Sequence, residues 1–270
     1  METKINQHLN LFGLKEDQDA FGNNIYETYI SGKYYSGYEI AERSDGCFTL
    51  YGDSNAYFEP FEEWSSIQKE LSSDINGVIL DIGCGGGKHA LYFQEKGKKV
   101  YAMDNSPKAI DTCKLRGIEN TIVCDVEHFH LVDTAIKFDS ILFWGNNVGL
   151  LQNKSFFVYF LNLLENYTNS NSTLYLETMN PYEEGFLDED TVSYVENNLL
   201  QKKLGGQMSV RVRYKKYATP WNDYLFISAD ELEQLLTETS WQTERILKDF
   251  ETNQFIAVLK KKKSFGLKQG

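Results

Sequence analysis

No apolar stretch in these 270 residues approaches the roughly 20 that a membrane span needs, so no membrane partner is expected. The opening METKINQHLNLFG lacks a long apolar run and a small-residue cleavage site, so no secretion signal is expected either. Cys47, Cys84, Cys113 and Cys124 are scattered, without a CxxC pair and without a histidine cluster beside them. That pattern argues against a metal site and for reduced thiols in a cytoplasmic protein. A basic face is missing too. The chain holds 27 Lys and Arg against 39 Asp and Glu, a formal charge of −12. Proteins that grip phosphodiesters need concentrated positive charge. Here the one dense basic run is Lys260 to Lys263, which reads as a solvated end, so the charge argues against nucleic acid. Internal repeats and low-complexity linkers are also lacking.

What is present suits a packed enzyme-sized domain: 41% hydrophobic and 14% aromatic residues. Residues 1–75 are rich in Tyr, Phe and Gly and read as an irregular N-terminal cap, with a helix from Pro60 to about Ser72. Residues 76–262 read as the core. Strands are expected at Val78–Leu80, Lys99–Met103, Thr121–Cys124, Phe138–Trp144 and Thr173–Met179. Helices are expected at Lys88–Lys96, after Ser106-Pro107, and at Ser155–Tyr167. This order predicts an α/β fold with a Rossmann-like, doubly wound and mostly parallel sheet. An insertion follows at 180–227, containing the strand-like SVRVRYKKY. The capping box Ser228-Ala-Asp-Glu231 then opens a helix through Leu236. Strands near Thr243–Leu247 and Phe255–Leu259 suit a closing antiparallel hairpin, and 263–270 is expected to be a flexible tail.

The most informative segment is Val78-Ile-Leu-Asp-Ile-Gly-Cys-Gly-Gly-Gly87. Gly83, Gly85 and Gly87 follow a strand and precede a helix, whose first N–H groups attract an anion. A dinucleotide fingerprint would be GxGxxG, but its third glycine position is Lys88. Asp81, two residues before the first glycine, is ill-suited to a pyrophosphate and well suited to the cationic amino group of an amino-acid ligand. Asp104 ends the second core strand, where an acid can accept from both ribose hydroxyls. Asp125 ends the third, where a carboxylate can accept from an adenine amino group beside the Val126 N–H.

Residues Val78 to Leu151 thus resemble the class I S-adenosylmethionine-dependent methyltransferases. The matching residues are Asp81-Ile-Gly-Cys-Gly-Gly-Gly87, Asp104, Cys124-Asp125-Val126 and Phe138-Asp-Ser-Ile-Leu-Phe-Trp-Gly-Asn-Asn147. With Arg211-Val-Arg-Tyr214 and Thr219-Pro-Trp-Asn-Asp-Tyr224, the whole chain is similar to a bacterial group within that class. The resemblance implies S-adenosylmethionine as cofactor. Asp81, Gly83, Cys84, Gly85 and Gly87 would hold its methionine part, Asp104 and Asn105 its ribose, and Asp125 and Val126 its adenine. Trp144 and Gly145 would face the sulfonium.

Methyl transfer from a sulfonium needs alignment and exclusion of water, and a base only for a protonated acceptor. No catalytic motif stands out. Asn146, Asn147 and Tyr182 are the candidates for positioning or deprotonating the acceptor. Tyr34, Tyr35, Tyr38, Glu177, Arg211 and Arg213 are the candidates for binding it. The implied activity is N- or O-methylation of a small molecule or short peptide. Two other readings stay open at this point. One is an NAD-linked oxidoreductase, against which Lys88 and Asp81 count. The other is a cofactor-binding regulator without methyl transfer, because no required base is identifiable.

Overall fold

The computed structural model describes residues 8–32, 38–51, 54–132, 135, 137–183, 189–249 and 252–263. The chain opens with β1 (His8–Leu11), α1 (Ala20–Ser31), β2 (Glu39–Arg43), β3 (Phe48–Tyr51) and α2 (Ser66–Ser72). The alternating section is β4 (Val78–Ile82), α3 (Lys88–Glu95), β5 (Lys99–Asp104), α4 (Pro107–Leu115) and β6 (Thr121–Cys124). It continues through β7 (Phe138–Phe143), α5 (Lys154–Leu163) and β8 (Thr168–Met179). Then come α6 (Glu189–Leu200), β9 (Gln207–Tyr214), β10 (Tyr217–Ala218), β11 (Asn222–Leu225), α7 (Ala229–Leu236), β12 (Trp241–Lys248) and β13 (Gln254–Lys261).

Eight strands form the main sheet in the order β1-β6-β5-β4-β7-β8-β13-β12. All its neighbours are parallel except at β13, which pairs antiparallel with both β8 and β12. This is the expected Rossmann-like sheet closed by an antiparallel hairpin. The strand order changes direction at β4, with β5 on one side and β7 on the other, and the crevice beyond such a switch point is where ligands bind.

Buried residues on both faces explain the near-continuous apolar strands. Leu80, Ile82, Ile141 and Phe143 turn to one face and pack with Phe157, Phe160, Leu232 and Trp241. Ile79, Leu142 and Trp144 turn to the other, against Trp64, Leu71, Ala90, Phe93 and Ile110. Local chemistry sets the helix starts. Ser106 accepts from the Ala109 N–H with Pro107 behind it, and Ser228 and Glu231 form the reciprocal capping box.

Several expectations need correction. The helix from Pro60 to Ser72 is broken: Phe61–Glu63 is a 3-10 turn, Trp64 and Ser65 are extended, and Ser65 caps α2 through the Gln68 N–H. The indole of Trp64 is drawn into the core, which forces that break. The apolar helix ends at Leu163 and tightens into a 3-10 turn over Leu164–Tyr167. The described residues among the first 75 are not irregular, because β1 extends the main sheet beside β6. The strands β2 and β3 join β9, β10 and β11 in a second, five-stranded sheet. The N-terminal segment and the 180–227 insertion are therefore woven together through β2 and β9.

Trp241 is fully buried at the start of β12, and its indole N–H donates to the Leu161 carbonyl at 2.9 Å, tying the closing hairpin to α5. Trp241→Ala should lower the free energy of unfolding by about 3–5 kcal/mol in urea titrations, the usual cost of emptying such a site.

Candidate functional site

The glycine loop leaves β4 at its C-terminal end. Gly83 and Gly85 have φ of 73° and 53°, which favour glycine, and a Cβ on Gly83 would lie 2.5 Å from Asn147 Nδ2. The Asn147 amide donates to the carbonyls of Ile82 and Gly83 at 2.9 and 2.8 Å. It is a brace on the loop. The Gly83 and Cys84 N–H groups both bond the Met103 carbonyl at the end of β5.

The three strand-end acids surround this loop. Asp81 is buried, and its Oδ2 has no partner among the described residues. Burial, helped by the charge of Asp104, pushes its carboxyl up to about 7. Asp104 accepts from the Gly85 and Ser106 N–H groups, each at 2.9 Å. Burial raises it to about 6 against those two hydrogen bonds. Asp125 accepts from Asn105 Nδ2 at 3.0 Å and from the Glu127 N–H at 2.9 Å, which links the ends of β5 and β6. Val126 follows it, buried at the start of a 3-10 turn.

The structure therefore brings Asp81, Gly83, Gly85, Gly87, Asp104, Asn105, Asp125 and Val126 to one edge of the sheet. Two side chains point elsewhere. The Cys84 thiol faces the Cys113 sulfur at 3.8 Å, and burial raises its pKa far above the ordinary value, so it is a neutral packing group. Trp144 is a correction. Its indole is 1% exposed and stands edge-on to Trp64 and His89 with centroids 5.9 and 5.0 Å away. An aromatic surface that large packs below the loop, leaving only backbone at the exit of β7. His89 is held neutral by the same burial.

The exit itself is tightly set. The Gly145 N–H donates to Glu177 Oε2 at 2.7 Å, and Gln68 Nε2 reaches the same oxygen at 2.9 Å. Glu177 is thus a buried anchor, its carboxyl raised by burial. Asn146 adopts the left-handed conformation with φ 62°, its carbonyl accepts from the Tyr224 hydroxyl at 2.7 Å, and its Oδ1 is buried without a partner among the described residues. Asn147 is engaged through its Nδ2, whereas the unpartnered oxygen of Asn146 is buried.

The remaining candidates are dispersed. Tyr182 donates to Glu231 at the head of α7 and accepts from the Gly205 N–H, so it clasps the insertion to the core. Arg211 and Arg213 both grip Glu42, at 2.8 and 2.7 Å, and Arg211 stacks over Trp221. Tyr38 is 65% exposed. Tyr34 and Tyr35 lie outside the described residues.

Sequence reasoning missed the group lying over the glycine loop. The Tyr57 ring is so close that a Cβ on Gly85 would meet its Cδ1 at 3.0 Å, and a Cβ on Gly86 would meet the Tyr57 carbonyl at 2.8 Å. Tyr57 donates to Glu39 Oε2 at 3.2 Å, and Asn24 donates to Oε1 at 2.8 Å. Glu39 is 3% exposed and is pushed up to about 7 by burial. No short motif marks these residues, because they come from α1, β2 and a later turn. Lys88 ion-pairs Glu59 at 3.0 Å at the same rim.

Both acids, Asp81 and Asp104, are raised in the folded chain above their unfolded value of 3.8. Their contribution to stability is full below that value and is lost as pH rises through about 6 to 7. The ligand-free protein should melt at a higher temperature near about pH 5 than near about pH 8, and Asp81→Asn should flatten that slope and melt higher than wild type at the alkaline end.

A methyltransferase-domain family matches residues 79–165. An uncharacterized methyltransferase of Staphylococcus carnosus is 35% identical over 92 residues, 34% of this chain and 41% of that protein. A probable cobalt-precorrin-6B C(15)-methyltransferase of Methanococcus maripaludis is 36% identical over 74 residues, 26% of this chain and 39% of its own. The matches thus span about two fifths of these curated relatives. A solved methyltransferase from Bacteroides fragilis, in complex with S-adenosyl-L-homocysteine, superposes with a TM-score of 0.77 at 22% identity, covering 93% of this chain and 98% of that one. Among the described residues no helix is long and apolar enough to cross a membrane. A methyltransferase-domain family thus matches residues 79–165, and the sheet around that segment has the Rossmann-like fold of the Bacteroides fragilis methyltransferase.

Proposed function

We propose that this protein is an S-adenosylmethionine-dependent methyltransferase that transfers a methyl group to nitrogen or oxygen of a small molecule or short peptide. The observation that carries the reading is the buried, unpartnered Oδ2 of Asp81 beside a backbone cradle at the mouth of β4. An orphaned buried carboxylate oxygen costs free energy unless a ligand donates to it. The amino group of a methionine tail is such a donor, and the N-terminus of α3 suits the carboxylate of the same tail. Asp104 would accept from the ribose, and Asp125 with the Val126 N–H would hold the adenine. A pyrophosphate would meet Asp81 and Asp104 as like charges, which disfavours a dinucleotide.

When bound, S-adenosylmethionine supplies a methyl carbon already activated by positive sulfur. The chain's own contribution is then positional. Asn147 fixes the loop, Glu177 fixes the Gly145 exit, and Tyr57 with Tyr224 shields the opening, so that the nucleophile approaches in line and water is kept away. Asn146 Oδ1 offers a hydrogen-bond acceptor at that exit. Tyr38, Arg211 and Arg213 would belong to the wider acceptor surface. The chain's acidic balance and the absence of a long basic run favour a small or peptide acceptor over nucleic acid.

Isothermal calorimetry with S-adenosylhomocysteine tests the reading. Wild type should bind, and Asp104→Ala should weaken binding about tenfold or more, the scale of losing a charged hydrogen-bond acceptor. A wild-type protein that ignores S-adenosylhomocysteine and is stabilised by NADH would overturn it.

A further inference from the structure

Among the described residues of the N-terminal segment, Asp19 and Glu39 are strongly buried carboxylates; Asp19 is taken up by the starts of α1 and α4, whereas Glu39 bonds Tyr57 over the glycine loop and nothing in the cofactor cradle uses it. It sits at the start of β2, 3% exposed, with Asn24 on one oxygen and the Tyr57 hydroxyl on the other. Asn24 cannot turn its amide around, because its Oδ1 accepts from Ser54 Oγ at 3.0 Å and from Thr28 Oγ1 at 3.5 Å. The carboxylate is therefore held in one orientation by a defined set of donors, and each of its oxygens has capacity for a second hydrogen bond.

Its position is fixed relative to the glycine loop. The Tyr57 ring lies on Gly85, and its hydroxyl donates to Glu39 Oε2 at 3.2 Å. Tyr224 bonds the Asn146 carbonyl at the exit of β7. The Tyr57 ring thus lies over the glycine loop and its hydroxyl turns toward the N-terminal segment. Glu39 is one hydrogen bond beyond that ring.

We propose that Glu39 binds the amino group of the methyl acceptor and removes its proton, making the acceptor an amine; this rests on the methyltransferase reading above. The acceptor enters as an ammonium ion and passes one proton to the Glu39 carboxylate, leaving a neutral amine and a neutral acid. The amine lone pair then forms the new carbon–nitrogen bond, and the carbon–sulfur bond breaks with its electron pair staying on sulfur. The product leaves as an N-methyl ammonium ion, and Glu39 returns its proton to water.

The electrostatics select the same class. Asp81, Asp104 and Asp125 end the strands at the crevice, whereas of the cations beside the glycine loop Lys88 is paired with Glu59 and Arg116 donates to the Gly86 carbonyl. The charged groups on the elements beside Glu39 are paired: Glu42 on the same strand with Arg211 and Arg213 of β9, Arg43 with Asp45, and Glu27 on α1 with Lys215 and Tyr214. A negative crevice attracts an ammonium ion and repels a carboxylate or phosphate. Burial also lifts Glu39 to about 7, near the pH at which a base exchanges protons most effectively.

Calorimetry on protein saturated with S-adenosylhomocysteine separates the possibilities, with benzylamine, benzyl alcohol and benzoate as matched probes. Wild type should bind benzylamine in preference to the other two. Glu39→Gln should bind S-adenosylhomocysteine within about twofold of wild type while losing about tenfold or more of its benzylamine affinity. Glu39→Asp, which keeps the charge, should recover part of that loss. The proposal fails if Glu39→Gln binds benzylamine as wild type does, if benzoate binds as well as benzylamine, or if none of the three binds. A wild type that does not bind S-adenosylhomocysteine removes the methyltransferase reading as well; loss of the amine effect alone leaves that reading intact.

Discussion

The grip of the Asp104 carboxylate on two backbone N–H groups is the interaction on which the rest of the site depends. One oxygen takes the Gly85 N–H and the other the Ser106 N–H. The first holds the glycine loop in its left-handed turns; the second sets the entry to α4, where Ser106 itself caps the helix. Asp19 adds a third tie, accepting from the Lys108 N–H at 3.0 Å and from Gly22, which docks α1 against the same helix start. Loop, strand, helix and N-terminal segment are thus tied together by two acids, Asp104 and Asp19, that meet at the start of α4. A charge-assisted hydrogen bond is directional and stronger than a neutral one, so this point fixes geometry as well as affinity.

The cost of that arrangement is a concentration of acids in low-dielectric surroundings. Asp81, Asp104, Glu39 and Glu177 all have carboxyls raised by burial, and Asp81 and Asp104 repel each other besides. A fold optimised for stability alone would replace Asp81 with an apolar or amide residue. The core makes the strain tolerable: two apolar layers, one on each face of the sheet, hold the strand ends still whatever the charge state at their tips. The floor of the crevice is therefore stable through packing and reactive through electrostatics, and the two contributions come from alternate residues of the same strands.

What could be read from the sequence follows from how local the causes are. β4, its glycine loop, the Ser106-Pro107 start and the Ser228 capping box were legible because each is decided within a few neighbouring residues. The closing hairpin was legible for the same reason. The Pro60 helix was misread because the burial of Trp64 by residues far along the chain outweighed local periodicity. Trp144 was misread because a motif position says which backbone lines a crevice but not where a large side chain goes. The pairing of β2 with β9 joins residues such as Ala41 and Val212, and no local pattern announces a contact across that separation. Glu39, Asn24 and Tyr57 were invisible for this reason: each is ordinary in its own segment, and only the non-local sheet makes them one group.

That division has a functional logic. The cofactor half of the crevice is built from consecutive strand ends and so carries a compact sequence signature. The roof is built from α1, β2 and the turn at Tyr57, backed by the insertion through β9, and carries none. Tyr224 joins the halves, because it comes from the insertion, lies against Gly149 and bonds the Asn146 carbonyl. On the proposed reading, changing the acceptor would call for altering residues of the roof while Asp81, Asp104 and the glycine loop stay as they are. The second sheet would make such changes tolerable: it supports the roof from outside the main sheet, so substitutions there leave the strand ends of the proposed cofactor cradle in place.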